Sequence, residues 1–477
     1  MNSLLTYQDI QKVTSGHWLT EPSDFSKPLY AAAFDSRDLA GAEIFFTLPG
    51  ERDAHQFLPK LAGSSIRLVL VTQEVPPIEG AAILMVADAL KALHDLARFQ
   101  SKRFQGKIIA LTGSSGKTTA KSWLLHLLLP YFKVIANQGS FNNHIGCPLT
   151  ILGIKQDTEI LILEMGTNGM GELELLSDIA PADYTLLLNV GHAHVGMFGS
   201  LENTYLAKME IFSQQRPGGL AILPAEDPKL MELSQGLHRS TFGREDGNYR
   251  YELLDQQPNL QRIRLSRPKG TREFEVKLAG QHVPITLSAL MVILDDLGIW
   301  EKLPEQLKLP IEKGRGVLLQ SGAGATLYDD TYNANPESLV NMLQSLMRIP
   351  GGLHLAVIGN MGELDDGLMD SAQVILEGIP KDLDQLFLIG QTGQTLAPLI
   401  QEAHPQILVR YFETLRSLIE EVRKLDQEGA VIGVKGSRSS HMERVILALQ
   451  GRNILCLQPY CGHLMMCSAC RDSSPDE

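Results

Sequence analysis

The chain has 477 residues, a net charge of -13, 44% hydrophobic and 20% charged residues, the balance of a globular protein long enough for about three domains. The acidic excess argues against a nucleic-acid-binding surface, which normally needs a basic face, although a small anionic substrate needs only a few local cations and oriented amides. No run of about 18 apolar residues suits a membrane span, residues 1–7 lack the basic and apolar features of a leader, and five cysteines, four of them in the last 22 residues, make no disulfide framework, so a cytoplasmic setting is predicted.

Residues 1–104 read as a small α/β domain. Ile66-Arg67-Leu68-Val69-Leu70-Val71 and Ile83-Leu84-Met85-Val86 have the short apolar runs of buried strands, and Ala87 to Phe99 has the spacing of a helix. Asp35-Ser36-Arg37 sets a carboxylate, a hydroxyl and a guanidinium ahead of the strand-like Ile44-Phe45-Phe46. A solvated turn and a ligand contact both fit that triplet.

The second domain, 105–312, has the βαβ rhythm of a mostly parallel sheet. It opens on Lys107-Ile108-Ile109-Ala110-Leu111, then Thr112-Gly113-Ser114-Ser115-Gly116-Lys117-Thr118-Thr119, then the helical Trp123-Leu124-Leu125 and Leu127-Leu128. Small residues between a strand and a helix let backbone amides turn towards an anion at the helix N-terminus. Lys117 would then reach outer phosphates and Thr118 a magnesium ion, although the strict motif would have glycine where Leu111 stands. Ile160-Leu161-Ile162-Leu163 delivers Glu164 at a strand end, where open α/β sheets place ligands. It can face Thr118 across the metal or cap a helix. Tyr184 to Val190 forms the next strand and runs into Gly191-His192-Ala193-His194, where a histidine can ligate metal or stay at the surface. Lys208, in the helical Ala207-Lys208-Met209-Glu210, reads by itself as solvated. Alternation from Tyr249 to Leu278 predicts antiparallel strands.

The third domain, 313–455, again alternates strands and helices, with strands predicted at 325–328, 353–358, 386–389 and 431–434. Two loops after strands are rich in binding side chains: Asp329-Asp330-Thr331-Tyr332-Asn333-Ala334-Asn335-Pro336 and Lys435-Gly436-Ser437-Arg438-Ser439. In the tail, 456–477, Cys461, His463, Cys467 and Cys470 resemble one half of a RING-type module. Four such ligands suit one zinc ion, and a metal-free, thiol-bearing extension is the alternative.

Taken together, these motifs resemble the Mur ligase family over about residues 7–450. They are Phe34-Asp35-Ser36-Arg37, the Thr112 to Thr118 loop, Asn142-Asn143-His144-Ile145-Gly146-Cys147-Pro148, Glu164-Met165-Gly166, Asn189-Val190-Gly191-His192-Ala193-His194, Ala207-Lys208-Met209-Glu210, the Asp329 to Pro336 loop, Gly359-Asn360-Met361-Gly362-Glu363-Leu364, and Lys435-Gly436-Ser437-Arg438 with Met442-Glu443-Arg444. Tyr332-Asn333-Ala334-Asn335-Pro336 is most similar to the branch that adds a dipeptide.

The resemblance implies three α/β domains: an N-terminal domain for a UDP-linked substrate, a central ATPase domain with a phosphate loop and parallel sheet, and a C-terminal Rossmann-like domain. It implies a monomeric ATP- and Mg2+-dependent ligase joining D-alanyl-D-alanine to UDP-N-acetylmuramoyl-tripeptide through an acyl phosphate, in cytoplasmic peptidoglycan precursor synthesis. By the same resemblance, Gly113, Ser114, Ser115, Gly116, Lys117, Thr118 and Thr119 hold ATP with Arg315, Asp330, Asn333 and Asn335. Thr118, Glu164, His194 and a carbamylated Lys208 hold metal, and Lys117, Glu164, His194 and Lys208 serve catalysis. Ser36, Arg37, Asn142, Asn143, Lys435, Ser437 and Arg438 face substrate. Nucleotide contacts from two domains joined near residue 312 predict closure around substrates.

One stretch departs from the family pattern. Gly280-Gln281-His282-Val283-Pro284-Ile285-Thr286 lacks both asparagines expected beside adenine, and His192 stands where many relatives have proline. Two alternatives follow: a Mur-type ligase with another acceptor, and a catalytically silent nucleotide-binding scaffold.

Overall fold

The computed structural model describes residues 4–39, 41–50, 52–139, 141–191, 198, 200–257, 260–278, 280, 282–361, 368–454, 456 and 467. The protein is α/β, and its chain divides into two compact units. One comprises Met1–Asn189, Tyr205–Arg250 and Thr286–Leu303; the other comprises Val190–Thr204, Tyr251–Ile285 and Pro304–Glu477.

The first unit contains a two-stranded antiparallel ribbon, Leu5–Thr6 with Pro28–Leu29, and two larger sheets. In the smaller of these two sheets, the strands run in the order His17–Thr20, Ala82–Met85, Leu68–Val71, Ile44–Phe46, Ala32–Ala33. Only the His17–Thr20 pairing is antiparallel. Leu68 and Leu70 enter one apolar cluster and Val69 and Val71 another, so both faces are covered. That explains why this strand reads as an unbroken apolar run instead of an alternating one. The helix Ala89–Arg103 follows, with the Asp88 carboxylate accepting from the amides of Leu90 and Lys91 and two basic residues in its last turn.

The larger sheet places Val134–Ala136, Ile160–Glu164, Lys107–Thr112, Ala182–Leu187, Gln215–Pro224 and Arg239–Gly243 side by side, all parallel. The chain leaves Lys107–Thr112 towards one edge and returns to its other side as Ala182–Leu187. A topological switch therefore lies between these strands, and crevices at the carboxyl ends of such strands are where open sheets bind ligands. The sequence reading expected antiparallel strands from Tyr249 to Leu278. Leu260–Arg267 and Gly270–Val276 do pair that way, but Tyr249–Gln257 enters the sheet parallel to Arg239–Gly243, with Phe242 opposite Tyr249. Alternation reports which faces are buried and carries no information on strand direction.

In the second unit, six strands run in the order Val317–Gln320, Thr326–Asp330, Ala430–Lys435, Leu353–Ile358, Gln385–Ile389, Leu408–Phe412, with only the first pair antiparallel. Leu355 and Val357 pack into one cluster, Ala356 and Ile358 into the other. Asp330 and Lys435 pair at the carboxyl ends of adjacent strands. Among the described residues no helix is long and apolar enough to cross a membrane.

Candidate active site

The phosphate loop starts where Lys107–Thr112 ends and finishes at Gly116, which precedes the helix Lys117–Leu128. Gly116 has φ +79°, a conformation that side chains disfavour, and no side chain caps the helix at this end. A Cβ on Gly113 would lie 3.1 Å from Leu188 Cβ. Asn189 braces the turn: its carbonyl accepts from the Ser114 amide at 3.1 Å and its Oδ1 from the Ser115 amide at 3.0 Å. Lys117 Nζ donates to Gly113 O at 2.6 Å, so the ammonium group lies across its own loop. Thr119 is half-buried one residue beyond Thr118.

Glu164 ends the strand Ile160–Glu164 and is 1% exposed. Its Oε1 accepts from Thr118 Oγ1 at 3.1 Å and Asn142 Nδ2 at 2.9 Å. Oε2 lies 2.9 Å from Lys121 Nζ, an ion pair, and that ammonium also donates to Gly139 O at 2.8 Å. Among the described residues the carboxylate thus meets side chains and no helix amide, which speaks against a capping role. Asn137 clamps the Glu164 backbone, accepting from its amide at 2.9 Å and donating to its carbonyl at 3.0 Å. A Cβ on Gly166 would strike Asn142 at 2.9 Å, so glycine there is what lets the Asn142 amide reach the carboxylate. A hydroxyl and a carboxylate converging beside a helix N-terminus are hard oxygen ligands of the kind magnesium takes with phosphates. Cys147 donates to Glu164 O, and burial first, then the Glu164 charge, pushes its thiol far up, which keeps it protonated.

The other first-unit residues divide. Lys208, read by itself as solvated, is 1% exposed near the end of Leu201–Met209. Asn143 Oδ1 accepts from the amides of Ile145 and Gly146 at the start of the next helix. Asp35 accepts from the Arg37 amide at 2.9 Å and its guanidinium at 2.6 Å, while the Arg37 side chain is 84% exposed and Ser36 half-buried. That hydrogen bonding holds the Asp35 carboxyl below its usual range.

A second cluster gathers at the strand ends of the other unit. Lys435, 2% exposed, donates from Nζ to Asp330 Oδ2 at 2.5 Å and Asn333 O at 2.9 Å. Asn335 caps the helix Pro336–Leu346 through the Ser338 amide. The Arg315 guanidinium stacks 4.0 Å from the Tyr332 ring centroid. The Ser437 amide donates to Asn360 O at 2.6 Å, and Arg438 binds Glu443 Oε1 at 2.5 Å. His192, His194, Gly362, Glu363, Leu364, Cys461, His463 and Cys470 lie outside the described residues.

Two family models match: the Mur ligase middle domain over residues 111–292 and the Mur ligase, glutamate ligase domain over residues 314–438. A UDP-N-acetylmuramoyl-tripeptide–D-alanyl-D-alanine ligase from Synechocystis is 32% identical, across 88% of this chain and 91% of its own. This chain belongs to the Mur ligase family. A Bacillus subtilis relative of the same name is 28% identical over 92% of this chain and 97% of its own. Among solved Mur ligases, MurF from Acinetobacter baumannii superposes with a TM-score of 0.83 at 28% identity, covering 94% of this chain and all of that one. MurF from Thermotoga maritima in complex with ADP gives 0.77 at 25% identity, covering 89% of this chain and 97% of that one.

Sequence reasoning missed two residues of this Mur ligase cluster. Lys121 follows Lys117 by four positions and so shares its helix face; a second lysine on an otherwise buried helix was the available signal. Asn137 gave none, since its role rests on a contact with a strand 27 residues away.

Proposed function

We propose that this Mur ligase joins D-alanyl-D-alanine to the peptide carboxylate of UDP-N-acetylmuramoyl-tripeptide at the expense of ATP, in cytoplasmic peptidoglycan precursor synthesis. The observation that carries the reading is the match across nearly whole chains to ligases bearing that name. The phosphate-loop cluster supplies chemistry consistent with it.

In this reading, Gly113, Ser114, Ser115, Gly116 and Thr119 line the phosphates, and Lys117 leaves Gly113 O to neutralise the outermost charge. Thr118 and Glu164 would hold Mg2+, which when bound supplies further charge neutralisation. The tripeptide carboxylate attacks the γ-phosphoryl group and ADP departs. The dipeptide amine then attacks the acyl carbon, phosphate leaves, and the amine gives up a proton. Activation as an acyl phosphate splits a difficult amide synthesis into two easier steps.

Burial of Lys208 supports its carbamylation, because removal from water disfavours the ammonium form and leaves the neutral amine that carbon dioxide modifies. Its amine adds carbon dioxide and loses a proton, which yields an anion able to join His194 as a metal ligand. Arg315, Asp330, Asn333 and Asn335 are proposed for the nucleotide, and Ser36, Arg37, Asn142, Asn143, Lys435, Ser437 and Arg438 for the substrates. Because Asn143 and Asn335 already use their side-chain oxygens as caps, a ligand would meet their NH2 groups.

Phosphate release is expected only when UDP-N-acetylmuramoyl-tripeptide and D-alanyl-D-alanine are both present. Release with another acceptor alone would reassign the specificity, and ATP binding without release on any acceptor would make the chain a scaffold. Bicarbonate should raise the activity of the unmodified chain and leave Lys208→Ala inactive; equal activity of both would remove the carbamate.

A further inference from the structure

The Lys435 to Arg438 loop runs into a buried cluster that the proposed reaction does not use. His441, Glu443 and Cys467 are 1%, 3% and 6% exposed, and one ligating atom from each lies within 4.8 Å of the others. His441 Nδ1 is 3.4 Å from Cys467 Sγ and 3.2 Å from Glu443 Oε1. Donors bound to tetrahedral zinc at about 2.0–2.3 Å lie roughly 3.3–3.8 Å apart, so the three groups are already near ligating separation. His441 itself is a non-glycine residue at φ +47°, at the end of the Arg438–Ser440 turn.

A second observation concerns the carboxylate. Glu443 Oε1 accepts from Arg438 Nη2 at 2.5 Å and from the Cys467 amide at 3.0 Å. Oε2 is buried and has no hydrogen-bond partner among the described residues, in a side chain 4% exposed. A buried carboxylate oxygen left bare is costly unless something binds it. The Arg438 guanidinium, 2.6 Å from His441 Nδ1, shows that a cation is already accommodated at this spot.

We infer that His441, Glu443 and Cys467 form a site for a divalent metal of zinc's class, which fastens the C-terminal tail to the loop carrying Lys435, Ser437 and Arg438. A thiol with an imidazole favours zinc over magnesium, which prefers oxygen donors. Binding expels the Cys467 proton to solvent and displaces Arg438 from His441 Nδ1. The Glu443 carboxylate becomes a ligand, and the fourth tetrahedral position is left to water. The ligand set therefore differs from a tail-only arrangement of Cys461, His463, Cys467 and Cys470.

The test uses the full chain, stripped with chelator, loaded with zinc alone and dialysed, with bound metal measured against protein. One retained zinc per chain is expected. In Cys467→Ser and in His441→Asn, affinity should fall by more than the roughly 10–100-fold of an outer-shell change. Glu443→Gln should weaken it, and the Cys461→Ser, Cys470→Ser double variant should keep it. No zinc on the unmodified chain, or zinc lost only in the double variant, overturns the assignment. Should His441→Asn fail to fold, cobalt loading of the unmodified chain decides: charge-transfer intensity of one thiolate supports the mixed site, and that of several thiolates overturns it.

Discussion

The two clusters at strand ends hold their charges differently. In the phosphate loop Lys117 donates to a neutral carbonyl, Gly113 O, and the helix N-terminus has no side-chain cap, so the loop offers an arriving phosphate the positive end of a helix. In the other unit the ammonium of Lys435 is closed against Asp330 and the guanidinium of Arg438 against Glu443. A ligand there must compete with a carboxylate already in place. The first cluster is prepared for an anion, whereas the second must exchange partners before its cations can act. Binding at the second is accordingly expected to depend more on salt and on the rest of the substrate.

The sharpest way to break that contrast is Lys117→Ala. It should lower kcat by roughly 10²–10³-fold, the scale of removing one transition-state charge donor, with thermal unfolding unchanged. A loss of stability with retained turnover would put Lys117 among structural residues.

Next in size are Lys121→Ala and Lys435→Ala. Each leaves a carboxylate without its cation, Glu164 in one unit and Asp330 in the other, and each should cost about 3 kcal/mol in denaturant unfolding. Magnesium should restore much of the loss in Lys121→Ala, by supplying the missing positive charge beside Glu164, and none in Lys435→Ala. Equal recovery in both would erase the distinction between the clusters.

A smaller effect is expected at Asn335. Replacing the cap with alanine should destabilise by about 1 kcal/mol, and Asn335→Ser should recover most of it. Nucleotide affinity that falls in both variants would separate a ligand contact from the cap.

The smallest effect is pH-dependent. Burial, the largest influence, lowers the proton affinity of His94 below the ordinary histidine value of 6.5. The unfolded chain therefore takes up protons first as pH falls through 6.5, and stability should decline from there until the folded-state value is passed. His94→Phe should flatten part of the slope in melts between neutral and mildly acidic pH; an unchanged slope would assign the effect to other groups.

Strand positions were legible because buried parallel strands leave short apolar runs, as at Leu353–Ile358. The phosphate loop was legible because its residues are contiguous. Of the partners of Glu164 only Thr118 was, since Asn137, Asn142 and Lys121 reach it from separate turns of chain. Lys208 looked solvated because a single lysine in a helix carries no mark of its burial. Cys467 could be grouped by spacing with other tail residues, but its contact with His441 and Glu443 belongs to the fold alone.

Arg444 bears on where this polypeptide tolerates cutting. Its 1% exposed guanidinium donates to the carbonyls of Ser440, His441 and Cys456, at 2.9, 3.0 and 3.1 Å. Shortening to a point before Cys456 removes one of these three buried acceptors, whereas shortening just after it keeps all three. Trimmed versions should therefore change abruptly in yield between those two endpoints, independently of any role for the residues beyond.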